Sequence, residues 1–231
     1  MAYVFNPPAI PSVPVTGSSD SFPVHRIYCV GRNYVDHAIE MGASGREPPF
    51  FFMKPADAIV VVDPGQTVSL PYPTVTSNYH HELELVVALG KGGKDVSVDQ
   101  AMGLVYGYAV GLDMTRRDLQ AQAKQQGRPW CISKGFDYSA PIGHITRAAD
   151  VPDIASASIT LEVNGKVRQS SDISKLIWNV AETIAALSQA WELQAGDLIY
   201  SGTPAGVAAV VRGDHLLARV DGLSPIALTV V

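Results

Sequence analysis

Short apolar runs alternate with turn-forming residues along most of the chain, and this pattern is typical of strands joined by tight turns. The strongest run is Glu82–Leu89. Five consecutive apolar residues follow Glu84, as in a strand that is covered on both faces. A second buried strand is predicted at Gly107–Leu112, and Asn164-Gly165 predicts a type I′ hairpin turn. Further strands are predicted at Arg26–Val30, Phe50–Met53, Ala58–Val62, Ile159–Val163, Lys166–Gln169, Leu198–Ser201, Leu216–Val220 and Ile226–Val230.

Helical periodicity is confined to a few segments. Apolar residues recur at helical spacing from Ser174 to about Gln194, which predicts the longest helix. Thr115, followed three residues later by Asp118, matches a capping box and predicts a helix that runs to Gln126. Two more helices are predicted. One runs from Asn33 to Met41-Gly42, and a short one begins after Ser97.

Strands outnumber helices in this pattern, so the predicted fold is mixed α/β and predominantly β, a mixed sheet or roll with peripheral helices. Four of the first 14 residues are proline. We therefore predict an extended Pro-rich arm over residues 1–25, in which proline prevents regular strand pairing. A single domain is predicted to follow over residues 26–231.

The composition excludes several classes of protein. The chain has 231 residues, 47% of them hydrophobic and 17% charged, with a formal net charge of −5, which argues against disorder and against nucleic-acid binding. Two cysteines are too few for a disulfide scaffold. No apolar run approaches the ~20 residues of a membrane-spanning helix, and the N-terminus lacks a signal-peptide pattern. We expect a cytoplasmic protein without a nucleic-acid or membrane partner.

Three acidic residues lie where strands are predicted to begin or end. Glu82 and Glu84 are two residues apart on a strand, so their side chains point to the same face, and Asp113 directly follows the apolar run at 107–112. Like charges at the mouth of a buried strand need a cation between them. Oxygen ligands favour Mg²⁺, with Mn²⁺ or Ca²⁺ as alternatives. The other interpretation is a half-exposed strand with a polar face, with Asp113 at a helix entry.

Two further features are candidates for catalysis. His37 and Glu40 share a helix face, so the carboxylate could orient the imidazole as a general base; a simple surface pair is the alternative. Lys134 is the only charged residue between Arg128 and Asp137. It is either an electrostatic group of the site or an ordinary surface lysine.

Several motifs carry a family resemblance that covers roughly residues 26 to 206. They are Cys29–Tyr34 with Asp36-His37 and Glu40-Met41, Phe52–Pro55, His80–Val87, Gly111–Thr115 with Arg117-Asp118, Lys134–Asp137, and Ser201–Pro204. With these motifs in this order, the chain resembles the short, single-domain members of the fumarylacetoacetate hydrolase family.

The resemblance implies a mixed β-roll of the fumarylacetoacetase C-terminal type, usually a homodimer. It implies that the three carboxylates bind Mg²⁺ or Mn²⁺, that His37 with Glu40 activates water, and that Lys134 stabilises a developing enolate. The residues expected to contact the substrate are Arg32, Arg117, Gln120 and Thr203.

The resemblance also implies cleavage of the carbon–carbon bond between two carbonyl groups of a small 2,4-dioxo acid. It favours fumarylpyruvate, cleaved to fumarate and pyruvate as in gentisate breakdown. The first alternatives are an acylpyruvase and an oxaloacetate decarboxylase, followed by an isomerase or hydratase of homoprotocatechuate breakdown. A non-catalytic scaffold that binds dicarboxylates is the non-enzymatic alternative.

Overall fold

The computed structural model describes residues 3–35 and 46–231. In this part of the chain, strands form four sheets and the helices are short, which confirms the predominantly β, mixed fold. The strands are β1 (Ser12–Pro14), β2 (Ser21–Pro23), β3 (Ile27–Gly31), β4 (Phe50–Lys54), β5 (Ile59–Val62), β6 (Thr67–Leu70), β7 (Tyr79–His80), β8 (Leu83–Leu89), β9 (Val105–Leu112), β10 (Thr115–Arg116), β11 (Ala140–Gly143), β12 (Thr146–Arg147), β13 (Ser158–Val163), β14 (Lys166–Asp172), β15 (Leu198–Tyr200), β16 (Ala209–Val210), β17 (His215–Val220) and β18 (Ile226–Val230).

The helices of the described ranges lie at the periphery. None of them combines the length and apolar character needed to cross a membrane. The α-helices are α1 (Val98–Ala101), α2 (Arg117–Gln125), α3 (Cys131–Lys134) and α4 (Val180–Ala190), and the 3₁₀ turns are Ala56–Ala58, Met102–Leu104, Ala148–Asp150, Ile154–Ser156 and Ile173–Lys175.

Two large sheets dominate the fold. The larger has the order β4-β3-β15-β8-β9-β11-β5, with β12 also paired to β9, and it is mixed because β3–β15 and β5–β11 are parallel. The second has the order β14-β13-β17-β18-β6, and only β6–β18 is parallel. A small three-stranded sheet has the order β10-β7-β16. Its central strand, β7, comes directly before β8 in the chain.

Strand β8 is buried on both faces, as the apolar run predicts. Leu83, Leu85 and Val87 belong to the core that includes the five-stranded sheet. Val86 and Ala88 pack on the opposite side with residues of β3, β15 and the N-terminal segment. Alternation along the strand therefore places Glu84 on the same face as Val86, at the strand end where the packing opens.

The predicted hairpin is confirmed. β13 and β14 pair antiparallel around Asn164-Gly165, whose φ angles of 53° and 72° are the two positive values of a type I′ turn. β17 and β18 form the predicted closing antiparallel pair.

The prediction that proline prevents pairing in the N-terminal segment is wrong. β1 and β2 pair antiparallel, with Val13 opposite Phe22, and both side chains are buried in the core. The prolines, Pro14 and Pro23, lie at strand ends of a two-stranded ribbon, where a missing N–H costs no ladder hydrogen bond.

Two helix predictions need correction. The helix predicted from Thr115 begins at Arg117 and has no side-chain cap, because Asp118 accepts hydrogen bonds from Thr76 and Ser77 instead. The longest helix begins only at Val180 and ends at Ala190. Its N-terminus is fixed by a capping box between Asn179 and Glu182 that the periodicity alone did not indicate.

Of the other two predicted helices, the one after Ser97 is present as α1. The one predicted from Asn33 lies mainly outside the described residues. The Asn33 side chain itself donates to the carbonyls of Trp178 and Ser201 and accepts from the Trp178 N–H.

Candidate active site and metal centre

Three buried carboxylates converge where β8 begins and β9 ends. The antiparallel register places Leu83 opposite Leu112 and Glu84 opposite Gly111. The chain continues past Leu112 so that the Asp113 N–H donates to the Glu82 carbonyl over 2.8 Å. One oxygen from each of Glu82, Glu84 and Asp113 lies within 4.8 Å of the other two. The strand pairing alone thus assembles the group.

Three cationic side chains contact this group. Lys134, at the end of α3, donates from Nζ to Glu82 Oε2 and to Asp113 Oδ2 over 2.6 Å each. Lys54, at the end of β4, has Nζ 2.8 Å from Asp113 Oδ1. Arg117 Nη2 donates to Glu82 Oε1. In the described residues these contacts match three negative charges with three positive ones.

Glu84 is the least compensated of the three carboxylates. Its side chain has no ion-pair partner within the described ranges, and Oε2 accepts only the Gly202 N–H, over 2.8 Å. Burial raises the pKa of Glu84 well above its usual range, and the Asp113 and Glu82 carboxylates add to this effect. A buried carboxylate in this position gains most from a bound cation.

Lys134 shows the opposite electrostatic balance. Burial acts to lower the pKa of its ammonium group, but the carboxylates of Asp113 and Glu82 outweigh it and raise the Lys134 pKa. Lys134 is therefore a charged donor at the floor of the site.

Residue 202 must be glycine for its own backbone N–H to approach the Glu84 carboxylate. Its φ is +105°, a conformation that side chains rarely adopt, and a Cβ atom here would lie 2.6 Å from Asn33 Cβ. Only glycine lets this N–H reach the Glu84 carboxylate.

A small cleft opens over the carboxylates. One wall is aromatic: the Phe50 and Trp130 rings are 5.3 Å apart and nearly perpendicular, and Phe52 lies 5.7 Å from Trp130. The polar lining consists of Arg32, Glu82, Glu84, Arg117, Gln120, Lys134 and Thr203. All four residues expected to contact the substrate therefore lie on this cleft.

Hydrogen bonds fix two of these four residues to each other. Arg117 Nη1 donates to Gln120 Oε1 over 2.6 Å, and Arg117 Nε donates to His80 Nδ1 over 3.3 Å. His80 Nε2 lies 2.7 Å from Asn78 Oδ1. Burial and the neighbouring Arg117 lower the pKa of His80 to about 4, so the ring is neutral and accepts from Arg117 at Nδ1.

Arg32 and Thr203 are held by other parts of the chain. Arg32 has a φ of 56°, and its guanidinium lies 5.8 Å from the centre of the Phe50 ring. Thr203 Oγ1 accepts a hydrogen bond from Gln169 Nε2 over 2.7 Å.

The donor set fits a divalent cation. The three ligands are carboxylates, the oxygen donors that Mg²⁺ and Mn²⁺ prefer, and all three are buried. Asp113 Oδ1 is buried and accepts no hydrogen bond in the described structure, although Lys54 Nζ lies beside it as an ion pair. A carboxylate oxygen has two lone pairs, so one remains for a cation beside the Lys54 contact.

His37 and Glu40, the predicted general base and its partner, lie outside the described residues. Their roles stay predictions.

Sequence reasoning missed three buried polar residues next to the site. Lys54 Nζ also donates to the carbonyls of Met114 and Lys134, and so joins the backbone on both sides of the centre. His81 and Gln169 form a buried pair beneath Thr203. Their partners are far apart in sequence, and the only local signal is a lysine that ends the apolar strand β4.

Comparisons with known proteins identify relatives along nearly the whole chain. The family model for the fumarylacetoacetate (FAA) hydrolase C-terminal domain matches residues 26–231. A fumarylpyruvate hydrolase of a Ralstonia species is 52% identical over 184 residues, which are 80% of this chain and 93% of the relative. The mitochondrial oxaloacetate tautomerase of Bos taurus is 40% identical over 197 residues, 85% of this chain and 87% of the relative.

Solved structures agree with this result. The fumarylpyruvate hydrolase of Pseudomonas aeruginosa, in complex with Mn²⁺ and pyruvate, superposes with a TM-score of 0.98 at 55% identity. The match covers 100% of this chain and 99% of that one.

Proposed function

The chain belongs to the fumarylacetoacetate hydrolase family, and on that premise we propose that it is a metal-dependent hydrolase that cleaves fumarylpyruvate to fumarate and pyruvate. The observation that carries the proposal is the convergence of Glu82, Glu84 and Asp113, with Lys134 among them, beneath a cleft. The Ralstonia and Pseudomonas relatives, both fumarylpyruvate hydrolases at over half identity, support the choice of substrate.

The three carboxylates would hold Mg²⁺ or Mn²⁺. Bound there, the cation would act as a Lewis acid that polarises the carbonyl oxygens of the pyruvate half and stabilises negative charge on them. The relative from Pseudomonas aeruginosa holds Mn²⁺ together with pyruvate, the expected product of this reaction.

The chain's own residues would supply binding and proton transfer. Arg117, which is fixed by Gln120 and His80, and Arg32 offer guanidinium groups for the substrate carboxylates. We assign to His37, with Glu40, the removal of a proton from the attacking water, because histidine titrates near neutral pH.

The reaction balances without a further reactant. Water adds to the 4-carbonyl carbon, and the bond between carbons 3 and 4 then breaks with its electron pair going to the pyruvate half. The fumaroyl half leaves as fumarate, and the enolate of pyruvate takes up one proton. Lys134, a buried ammonium already within hydrogen-bond distance of two metal-site carboxylates, would donate to the enolate oxygen.

Product analysis with a substrate panel tests the proposal. Purified protein with Mg²⁺ or Mn²⁺ is offered fumarylpyruvate, acetylpyruvate or oxaloacetate, and loss of the diketone ultraviolet absorbance is followed together with the release of pyruvate and fumarate. We expect the fastest cleavage with fumarylpyruvate, and loss of cleavage in Glu84→Gln. Glu192→Gln, which changes an exposed carboxylate outside the cleft, is the matched control and should retain activity.

The panel also separates the alternatives. Faster turnover of oxaloacetate would favour the activity of the 40% identical tautomerase of Bos taurus or a decarboxylase. Faster turnover of acetylpyruvate would favour an acylpyruvase. Metal-dependent binding without any product from these three substrates would leave the dicarboxylate-binding scaffold and the isomerase or hydratase. Turnover of a homoprotocatechuate-pathway diacid, offered separately as a fourth substrate, would favour the isomerase or hydratase.

We also propose that the enzyme is a cytoplasmic homodimer that acts in the breakdown of aromatic compounds through gentisate. The family resemblance supports the dimer, and the charged fraction of 17% is compatible with a buried subunit face. Light scattering on the purified protein should give twice the chain mass of 24.6 kDa, and a monomer mass would contradict the assembly.

A further inference from the structure

Gln169 is a buried polar residue on a strand that is otherwise open to solvent. Gln169 is fully buried, whereas all the remaining residues of β14 are exposed or half-buried. The pairing of β13 with β14 skips Arg168, because Leu161 pairs with Gln169 and Glu162 pairs with Val167. Such a bulge turns a side chain that would otherwise alternate regularly. The bulge here directs an amide, not an apolar group, into the core beside the site.

Two backbone groups fix the orientation of the Gln169 amide, because one of them can only donate a hydrogen bond and the other can only accept one. The Leu83 N–H can only donate, and it lies 3.1 Å from Oε1. The Pro204 carbonyl can only accept, and it lies 2.9 Å from Nε2. The oxygen therefore faces β8 and the nitrogen faces the loop after β15.

This orientation determines the roles of two side chains. His81 Nδ1 lies 2.9 Å from Gln169 Oε1, which accepts only, so Nδ1 must carry the proton. Thr203 Oγ1 lies 2.7 Å from Gln169 Nε2, which donates only, so the Thr203 oxygen must accept. His81 Nε2 is buried and has no hydrogen-bond donor or acceptor beside it in the described residues, so the contact with Gln169 is the one that orients the ring.

The Thr203 hydroxyl has one hydrogen, and the Gln169 contact does not use it. No other hydrogen bond of this hydroxyl occurs within the described part of the chain, and Thr203 lines the cleft together with Glu84 and Lys134. The hydrogen is thus free for an acceptor in the cleft, and a carboxylate or enolate oxygen is an acceptor of this kind.

We propose that Gln169 is a positioning residue that fixes Thr203 as a hydrogen-bond donor into the cleft, with His81 in the Nδ1–H tautomer as its support. The inference rests on the proposed function in that it assigns the recipient as a carboxylate oxygen of a small keto acid. Gln169 itself does not contact the substrate. It acts because its Nε2 can only donate, so the Thr203 hydroxyl cannot donate to Gln169 and keeps its hydrogen for the cleft.

A binding experiment with pyruvate as probe, in the presence of Mn²⁺, tests this role without turnover. Calorimetric titration of the wild-type protein is compared with Thr203→Val, Gln169→Met and the double variant, and Ser170→Ala on the same strand is the matched control. Loss of one hydrogen bond to a charged acceptor predicts binding about 10-fold or more weaker in each single variant. Thr203→Ser keeps a hydroxyl and should bind nearly as well as wild type.

The decisive quantity is the interaction between the two sites. If Gln169 acts through Thr203, adding Gln169→Met to Thr203→Val should weaken pyruvate binding by less than about twofold. A general structural role would give the same loss in both backgrounds, and that result would overturn the proposal. Undetectable binding of pyruvate to the wild-type protein would overturn it too. Tight, Gln169-dependent binding without cleavage of fumarylpyruvate would instead refute the proposed function and leave this inference standing.

Two further measurements test the orientation of the Gln169 amide, and the second uses the wild-type protein, so it does not depend on variant folding. Gln169→Glu has nearly the same shape but only acceptor oxygens when ionised, so Thr203 should donate to it and pyruvate binding should fall as in Thr203→Val. The ¹⁵N chemical shifts of the His81 ring in the wild-type protein should show a protonated Nδ1. A protonated Nε2 with a bare Nδ1 would mean that the amide is reversed, and the proposal would then be wrong.

Discussion

Replacing Glu84 with glutamine should stabilise the metal-free protein and abolish its response to metal. Glu84 is buried, lies within 4.8 Å of two other carboxylates, and has no cation in contact within the described residues. Two unit charges at 4.8 Å interact by about 3.5 kcal/mol at an effective dielectric constant of about 20. Lys134, which contacts both neighbouring carboxylates, offsets part of this repulsion.

Proton uptake sets a ceiling on the gain. A carboxyl group whose pKa is raised in the folded state costs stability above its unfolded pKa of about 4.3, and the cost disappears as the pH falls towards that value. At pH 7 the Glu84 carboxylate can avoid the repulsion by binding a proton. Protonating a carboxylate of ordinary pKa at this pH costs about 3.7 kcal/mol, so the repulsion cannot destabilise the protein by more than this. Glutamine removes this cost but weakens the hydrogen bond from Gly202 by about 1 kcal/mol. We expect a net stabilisation of about 1–3 kcal/mol in a chelator, or about 2–6 °C for a chain of this length.

Asp113→Asn should do the opposite under the same conditions. Asp113 contacts both Lys54 and Lys134, so its removal leaves two buried ammonium groups with less compensation. Breaking such a buried ion pair costs about 3 kcal/mol or more. The two substitutions each neutralise one carboxylate of the same site, yet their effects on the metal-free protein should differ in sign.

Thermal denaturation in EDTA and at saturating Mn²⁺ measures all of these effects. A ligand at 100 times its dissociation constant stabilises the wild-type protein by about 2.7 kcal/mol, or about 5 °C here. Both Glu84→Gln and Asp113→Asn should lose most of this rise, while the control Glu192→Gln keeps it. The reasoning is refuted if Glu84→Gln melts lower than wild type in EDTA, or if either variant retains the full response to Mn²⁺.

Three further predictions concern the frame around the site. Gly202→Ala should lower stability by about 1–3 kcal/mol, because φ is +105° there; an unchanged melting temperature would contradict this. Cys131 is exposed, whereas Cys29 is buried and burial raises its pKa, so a thiol reagent should label one cysteine quickly and the other only on unfolding; rapid labelling of both would show the assignment to be wrong. Asn179→Ala removes the capping box of α4 and should cost about 1 kcal/mol in denaturant unfolding; an unchanged free energy of unfolding would contradict this.

The central strands and the carboxylate group were predictable because their signals are local. The apolar run after Glu84 is long enough to require burial on both faces, and alternation then fixes the side on which Glu84 lies. Asp113 meets this strand because β9 is its direct antiparallel neighbour. No long-range information beyond one strand pairing is needed.

The helix starts were less predictable because several local patterns compete for the same polar groups. Asp118 has the spacing of a capping-box acid, but its carboxylate finds Thr76 and Ser77, about 40 residues away, and the pair Thr115–Arg116 joins a strand instead. A sequence pattern shows which groups could cap a helix. It does not show which partner the tertiary structure brings closer.

Lys54 and Gln169 mark the limit of reasoning from sequence. A lysine at a strand end and a glutamine between arginine and serine are ordinary surface patterns, yet both side chains are fully buried. Lys54 contacts groups 59 and 80 residues further along the chain, and Gln169 contacts groups 34 and 86 residues away. Only the folded sheets bring these partners together.

The charges of the site explain why a metal ion and a dianionic substrate suit the same cleft. The three carboxylates are matched by Lys54, Lys134 and Arg117, so a divalent cation alone would leave an excess of two positive charges in a buried region. Such an excess is costly unless an anion accompanies it. A dicarboxylate restores neutrality, whereas a monocarboxylate restores half of it. Metal and diacid should therefore each raise the affinity for the other, and acetylpyruvate, with one carboxylate, should gain less from the metal than fumarylpyruvate.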